Sequence, residues 1–183
     1  GLDARHYIIT KAGERGLTYA KVDVRGKVIW KKAFPSTAKI TTMSTTKTGG
    51  FLMVGTRRGE MYAARIDAKG RMIWQETFGG SGKIFDVVEM DDGSFILAGY
   101  IDLFQSGETD YFITRFDANG KNLWEKVLGD PEYLNEKARL LAITPQQQIV
   151  VIGNRDNNLW MLQMSPDKQA ITWEKELNEK DFQ

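Results

Sequence analysis

The chain has 183 residues, 42% hydrophobic and 27% charged, which suits one folded domain and excludes a disordered chain. Its 25 Lys and Arg stand against 24 Asp and Glu, so the net charge of +1 creates no overall field toward nucleic acid or an anionic membrane. Cysteine is absent and His6 is the only histidine, which excludes disulfide scaffolds, zinc–thiolate sites, thiol nucleophiles and chemistry that needs two histidines. No run of about 18 apolar residues is present to span a bilayer. A start at Gly1 without Met reads as a processed or engineered start.

In chain order, the first β-rich runs are His6 to Ala12, Leu17 to Asp23 and Lys27 to Phe34. The next four begin at Lys39, Gly50, Met61 and Arg71 and end at Phe78. Four more begin at Lys83, Ser94, Asp110 and Lys121 and end at Leu128, and a last four begin at Lys137, Gln148, Asn158 and Ala170 and end at Leu177. Turn residues separate the runs: Asp-x-x-Gly at Asp23, Asp67 and Asp117, Asp91-Asp92-Gly93, and Ser165-Pro166-Asp167-Lys168. Trp30, Trp74, Trp124 and Trp173 close the four groups at intervals of 44, 50 and 49 residues, the mark of a repeat architecture.

Each complete unit therefore holds four strands, A to D. The first unit lacks strand A. The final residues, Glu179-Lys180-Asp181-Phe182-Gln183, match the start of strand A in the other units. A four-stranded sheet cannot bury both faces alone, whereas sheets stacked radially bury one another. The expected fold is all-β: a four-bladed β-propeller of antiparallel blades over residues 1–183, with blades at 6–34 plus 180–183, 39–78, 83–128 and 137–177. The C-terminal strand is expected to complete the N-terminal blade and close the ring in a monomer. A piece of a larger ring, or a ring shared by two chains, is the alternative, and the matching ends argue for closure within one chain.

The stretch from Phe51 to Trp74 resembles the repeats of quinoprotein-type, PQQ-like β-propellers: a glycine ends strand B, and an alanine-containing strand C leads to Asp-x-x-Gly and a tryptophan. The stretch from Asp91 to Gly129 is similar to repeats of bacterial extracytoplasmic propellers. The resemblance covers nearly the whole chain. It implies the propeller fold and an extracytoplasmic setting (periplasmic, secreted or lipid-anchored after processing). It does not imply the quinone chemistry, because the vicinal cysteine pair and the calcium-binding acidic cluster have no counterpart here. No cofactor and no metal are expected.

Few residues suggest chemistry. The Asp-x-x-Gly motifs recur at one structural position and read as hairpin turns rather than calcium or phosphate sites. The repeat tryptophans and Trp160 read as core between sheets. Asp86 and Glu89 are the inner-strand carboxylates that a glycoside hydrolase would need, and a lone His6 on a strand supports no Ser-His-Asp set. Aligning the units places Lys39, Lys83, Lys137 and Lys180 at the start of each strand A, where four ammonium groups would ring one channel mouth and hold a small anion. The alternative is that their stems splay into solvent beside Asp130, Glu132, Glu136 and Glu179. The B–C loops on the same face carry Arg15, Arg57, Arg58 and Arg155, and the longest, Asp102 to Asp110, breaks the repeat with Asp102, Leu103, Phe104 and Gln105 at its head.

Loops that depart from a rigid repeat are where binding concentrates. The sequence thus points to a non-enzymatic scaffold that engages a partner protein through Arg57, Arg58, Arg155 and residues 102–105. An anion-binding propeller is the second reading, and a quinone-dependent or carbohydrate-active enzyme the third. Nucleic acid is not an expected partner, since neither net charge nor exposed stacking aromatics favour it.

Overall fold

Strands B and C of the second and third units are nearly continuous apolar runs, the pattern of strands covered on both faces. The computed structural model shows that burial. It describes residues 6–13, 16–34, 37–167 and 169–182, so Arg15 and Gln183 lie outside the described residues. The strands are β1 His6–Gly13, β2 Gly16–Asp23, β3 Val28–Phe34, β4 Lys39–Thr45, β5 Phe51–Arg57, β6 Glu60–Ile66, β7 Met72–Glu89, β8 Phe95–Ile101, β9 Asp110–Phe116, β10 Asn122–Leu128, β11 Glu136–Ile143, β12 Ile149–Arg155, β13 Asn158–Met164 and β14 Ile171–Leu177.

The hydrogen-bonded orders are β1-β2-β3, β10-β9-β8-β7-β6-β5-β4 and β11-β12-β13-β14. The seven-stranded sheet is two units joined by one long strand. Residues 72–81 of β7 pair with β6, and residues 82–89 pair with β8. Strand D of the second unit thus runs without a break into strand A of the third. The sequence reading put a gap there, at Gly79 to Gly82, but the Ser81 carbonyl accepts the Asp102 N–H at 2.8 Å and holds the crossing in strand geometry.

Three apolar cores lie between successive units. Leu17 and Tyr19 pack on Phe51, Met53 and Tyr62. Leu52, Val54 and Met61 pack on Phe95, Leu97 and Phe112. Ile96, Tyr111 and Ile113 pack on Ile149, Val151 and Trp160. Trp160 is therefore core, as expected, and strands β5, β6, β8 and β9 are covered from both sides.

The tryptophans join each unit to the turn of the next. The Trp74 indole N–H donates to the Ala118 carbonyl at 3.1 Å, and its cross-strand neighbour Arg65 donates to the same oxygen. Trp124 repeats this on the Pro166 carbonyl at 2.9 Å, and its neighbour Arg115 reaches that oxygen at 3.3 Å. Trp30 lies against Gly70 and stacks on Phe51, with ring centroids 6.4 Å apart. The turns are built as expected: Asp67 Oδ1 accepts the Lys69 and Arg71 N–H groups, and Asp117 Oδ1 accepts those of Asn119 and Lys121.

Two expectations fail at the ends. Residues Glu179–Phe182 form a 3₁₀ turn and not a strand. Asn178 Oδ1 accepts the Lys180 N–H and the Asp181 carboxylate accepts the Asn178 N–H, a local satisfaction of the backbone that competes with strand pairing. Among the described residues, β1 has β2 on one edge and no strand on the other, and no core joins the fourth unit to the first. Among the described residues the strands fall into sheets of three, seven and four, and no strand pairing closes them into a ring of four separate four-stranded blades. Trp173, expected to be core, is 48% exposed, whereas Trp74 is 8% exposed.

Two outcomes follow. A Cβ on Gly120 would sit 2.7 Å from the Trp74 indole at a φ of +88°, so Gly120→Ala should lose about 1–3 kcal/mol from backbone strain, plus the displaced ring contact, in chemical denaturation. Arg115 spans the second junction, bonding Asp92 at 2.6 Å and Asp167 at 2.9 Å. Burial pushes the Asp92 carboxyl up, but the Ser94 hydrogen bonds and the Arg115 charge outweigh it and hold it below the ordinary carboxylate range. Its contribution is present above its unfolded value, near 4, and is lost as pH falls through the lower folded value. The melting temperature of Asp92→Asn should therefore fall less than that of the parent between pH 5 and acid conditions.

Candidate functional site

The long loop after β8 is fastened at its base and presents apolar side chains at its tip. The Asp102 carboxylate accepts the Ser106 and Gly107 N–H groups, each at 3.0 Å, and Gln105 takes a positive φ of 54° to complete the turn. This Asx-type bracing leaves Phe104 86% exposed and Leu103 53% exposed. The loop's exit is tied to the fourth unit: Thr109 donates to the Leu134 carbonyl and Glu136 donates back to Thr109.

Between this loop and the 129–133 connection lies an open groove of about 410 Å³. Leu103, Phe104, Val127 and Tyr133 supply its apolar walls, and Glu108, Asp110 and Asp130 its acids. Burial pushes the Asp110 carboxyl up, and the charges of Glu108 and Asp102 push it further. A Cβ at Gly129 would overlap the Asp110 carboxylate, so glycine is what lets that acid lie on the floor. The residues that line the groove include these three acids and no lysine or arginine.

Arg155 stands behind this wall and is not free for a ligand. It bonds Glu136 at 2.6 Å and Glu176 at 3.4 Å, and its guanidinium lies 4.8 Å from the Tyr133 ring and 3.6 Å from the Trp160 ring. Glu136 is wholly buried and also accepts the Asp130 N–H at 2.9 Å. Burial pushes the Glu136 carboxyl up, only partly offset by these donors, while the two carboxylates keep Arg155 charged. The expected partner-binding arginine is a brace for the groove, because its acids come from strands on either side of it.

The other candidates sit elsewhere. Arg57 belongs to the second unit and lies over the Tyr62 ring at 5.8 Å; burial, foremost, pushes that hydroxyl up to about 12. Arg58 is exposed at the tip of the Arg58-Gly59 turn. Lys39 opens β4, Lys137 is the second residue of β11, Lys83 lies inside the continuous strand β7, and Lys180 lies in the 3₁₀ turn rather than on a strand. Lys83 and Arg139 both lie over Phe85, at 5.1 and 4.2 Å, and Lys137 lies 5.3 Å from Tyr100, whose ring is 5.8 Å from Phe85. The sequence reading missed Arg139, Phe85 and Tyr133. Nothing in the repeat marks them, whereas Arg65 and Arg115 could have been found from their shared place opposite a repeat tryptophan.

Over residues 17–182 the chain matches the family of PQQ-type repeats described as outer membrane protein assembly factor BamB. The chain belongs to that family. No curated protein sequence matches it. Among solved structures it is similar to the hydrazine synthase of Kuenenia stuttgartiensis (TM-score 0.60, 14% identity, 87% of this chain and 50% of that one). It is also similar to the Dos1 propeller (0.59, 14%, 90% and 44%) and to the periplasmic gluconolactonase PpgL of Pseudomonas aeruginosa (0.58, 11%, 94% and 54%). These likenesses show the propeller type of fold. The chain spans about half the length of these structures. No helix among the described residues is long and apolar enough to cross a membrane.

Arg155→Met should strand the buried Glu136 with the Asp130 N–H as its remaining donor. Breaking such a pair costs about 3–5 kcal/mol, read as a lowered denaturation midpoint. A loss under about 1 kcal/mol would show that the pair does not hold this wall.

Proposed function

We propose that this chain is a non-enzymatic, extracytoplasmic propeller domain that binds a partner protein at the groove beside Phe104. The observation that carries the reading is the exposed Phe104 on a braced loop, set over an acid-lined groove. An aromatic anchor held rigid before binding loses little entropy on association, and aromatic residues dominate interface energetics. The acids at Glu108, Asp110 and Asp130 favour a partner segment with Lys or Arg next to an apolar side chain. The family description, an assembly factor for outer membrane proteins, fits a protein partner and a site outside the cytoplasm.

Anion binding has narrower support. It rests on Lys83, Lys137 and Arg139 gathered around two rings, where the ring faces already occupy the cations.

The test is quantitative capture of cell-envelope proteins by the parent and by Phe104→Ser. Loss of an anchor of about 2 kcal/mol reduces capture roughly 30-fold. The melting temperature should stay unchanged, since Phe104 touches solvent. Equal capture by the variant places the binding surface elsewhere.

A further inference from the structure

The inner strands β4, β7 and β11 each carry a β-bulge at the same place in the repeat. The residue left over between paired neighbours is Thr41 in β4, Phe85 in β7 and Arg139 in β11. A glycine faces each bulge, and a Cβ on Gly55, Gly99 or Gly153 would overlap the carbonyl of Lys39, Lys83 or Lys137. The glycine lets the bulged backbone lie close, and a bulge re-aims the side chain it carries. The lysine two positions before the bulge is paired with Thr56, Tyr100 or Asn154. The backbone device is thus repeated three times, but its side chains are not. The second unit has Thr41 and Thr56 where the third has Phe85 and Tyr100.

The third and fourth units bring five of these side chains together. Arg139 and Lys83 lie 4.2 and 5.1 Å from the centre of the Phe85 ring, Lys137 lies 5.3 Å from that of Tyr100, and the two rings are 5.8 Å apart. The rings and both lysines are half-buried, and Arg139 is exposed. Among the described residues no carboxylate pairs with any of the three cations, whereas Arg115 and Arg155 each bind two. The acid beside the bulge, Asp86, is taken up by the Val87 and Leu141 N–H groups, each at 2.8 Å. Arg139 Nε and Lys137 Nζ reach the side-chain oxygens of Asn154 and Asn135 at 3.4 Å, too long for strong bonds. A ring face attracts a cation but supplies no acceptor oxygen, so the guanidinium fork and both ammonium groups keep donors for a ligand. Three like charges without an acid repel one another, and half-burial weakens the screening.

We propose that Lys83, Lys137 and Arg139 bind a phosphate group. This rests on the anion reading above and names its ligand. A phosphate monoester carries about two negative charges and three acceptor oxygens, enough to engage one guanidinium fork and two ammonium groups at once. A carboxylate brings one charge and two oxygens, and leaves a cation unmatched. The rings hold the cations in place before the ligand arrives, which lowers the ordering cost of binding.

Calorimetric titration of the chain with inorganic phosphate at fixed ionic strength tests this. Lys83→Gln, Lys137→Gln and Arg139→Gln should each weaken phosphate affinity about tenfold or more, with folded circular dichroism unchanged. Lys39→Gln, at the same repeat position but without the rings, should bind as the parent does. Glycerol phosphate and vesicles containing phosphatidic acid serve as competitors. Competition by the first alone means a soluble phosphate monoester, and competition by the vesicles a lipid headgroup. Competition by neither, or acetate binding as tightly as phosphate, would overturn the phosphate assignment. Equal losses in Lys39→Gln and Lys83→Gln would overturn the cluster and leave the anion reading standing, with the inner-strand lysines at large as its site. Binding of no anion would end both. The groove at Phe104 shares no residue with this cluster, so loss of partner capture and loss of phosphate binding are separate results.

Discussion

Two of the three junctions in this molecule turn on a single carbonyl each. Ala118 O receives Trp74 and Arg65 together, and Pro166 O receives Trp124 and Arg115. A turn carbonyl at the rim of a sheet would otherwise point to water. Two donors from the preceding sheet satisfy it and fix where the next sheet sits, while apolar faces such as Leu52 and Val54 against Phe95 and Leu97 provide the nondirectional attraction. The hydrogen bonds set register and the cores hold it. With two such clasps and the Trp30 contact at Gly70 stacked in sequence, each unit leans on its neighbours, as repeat architectures require.

The same arrangement explains the position of the groove. A rigid stack leaves loop length as its free variable, and the unit at Asp102 uses it. The loop is braced by its own aspartate and by Thr109, then walled by the Arg155–Glu136 pair on the next sheet. A binding surface built across a junction inherits the rigidity of the core beneath it.

Much of this was legible in the sequence. The tryptophan period marked the units, and the Asp-x-x-Gly turns fell where the hairpins close, because both are set by residues a few positions apart. The fate of the ends was not legible. "EKDFQ" resembles strand A, but a strand needs an edge to pair with, and Asn178 and Asp181 offered the backbone a local alternative. The make-up of the groove was not legible either. Arg155 is drawn into an ion pair with the buried Glu136, and Gly129 leaves room for the Asp110 carboxylate, facts of three dimensions that no spacing encodes. The lysines followed the repeat as aligned, yet three of them do not make a ring when the fourth lies in a 3₁₀ turn.

The most direct test of the junction is hydrogen exchange at the tryptophan indoles, followed by nuclear magnetic resonance. Trp74 and Trp124 should exchange slowly, protected by Ala118 and Pro166, and the 48% exposed Trp173 should exchange faster than either. Exchange of Trp74 and Trp124 at the rate of free indole would contradict the clasp and the stacking order built on it.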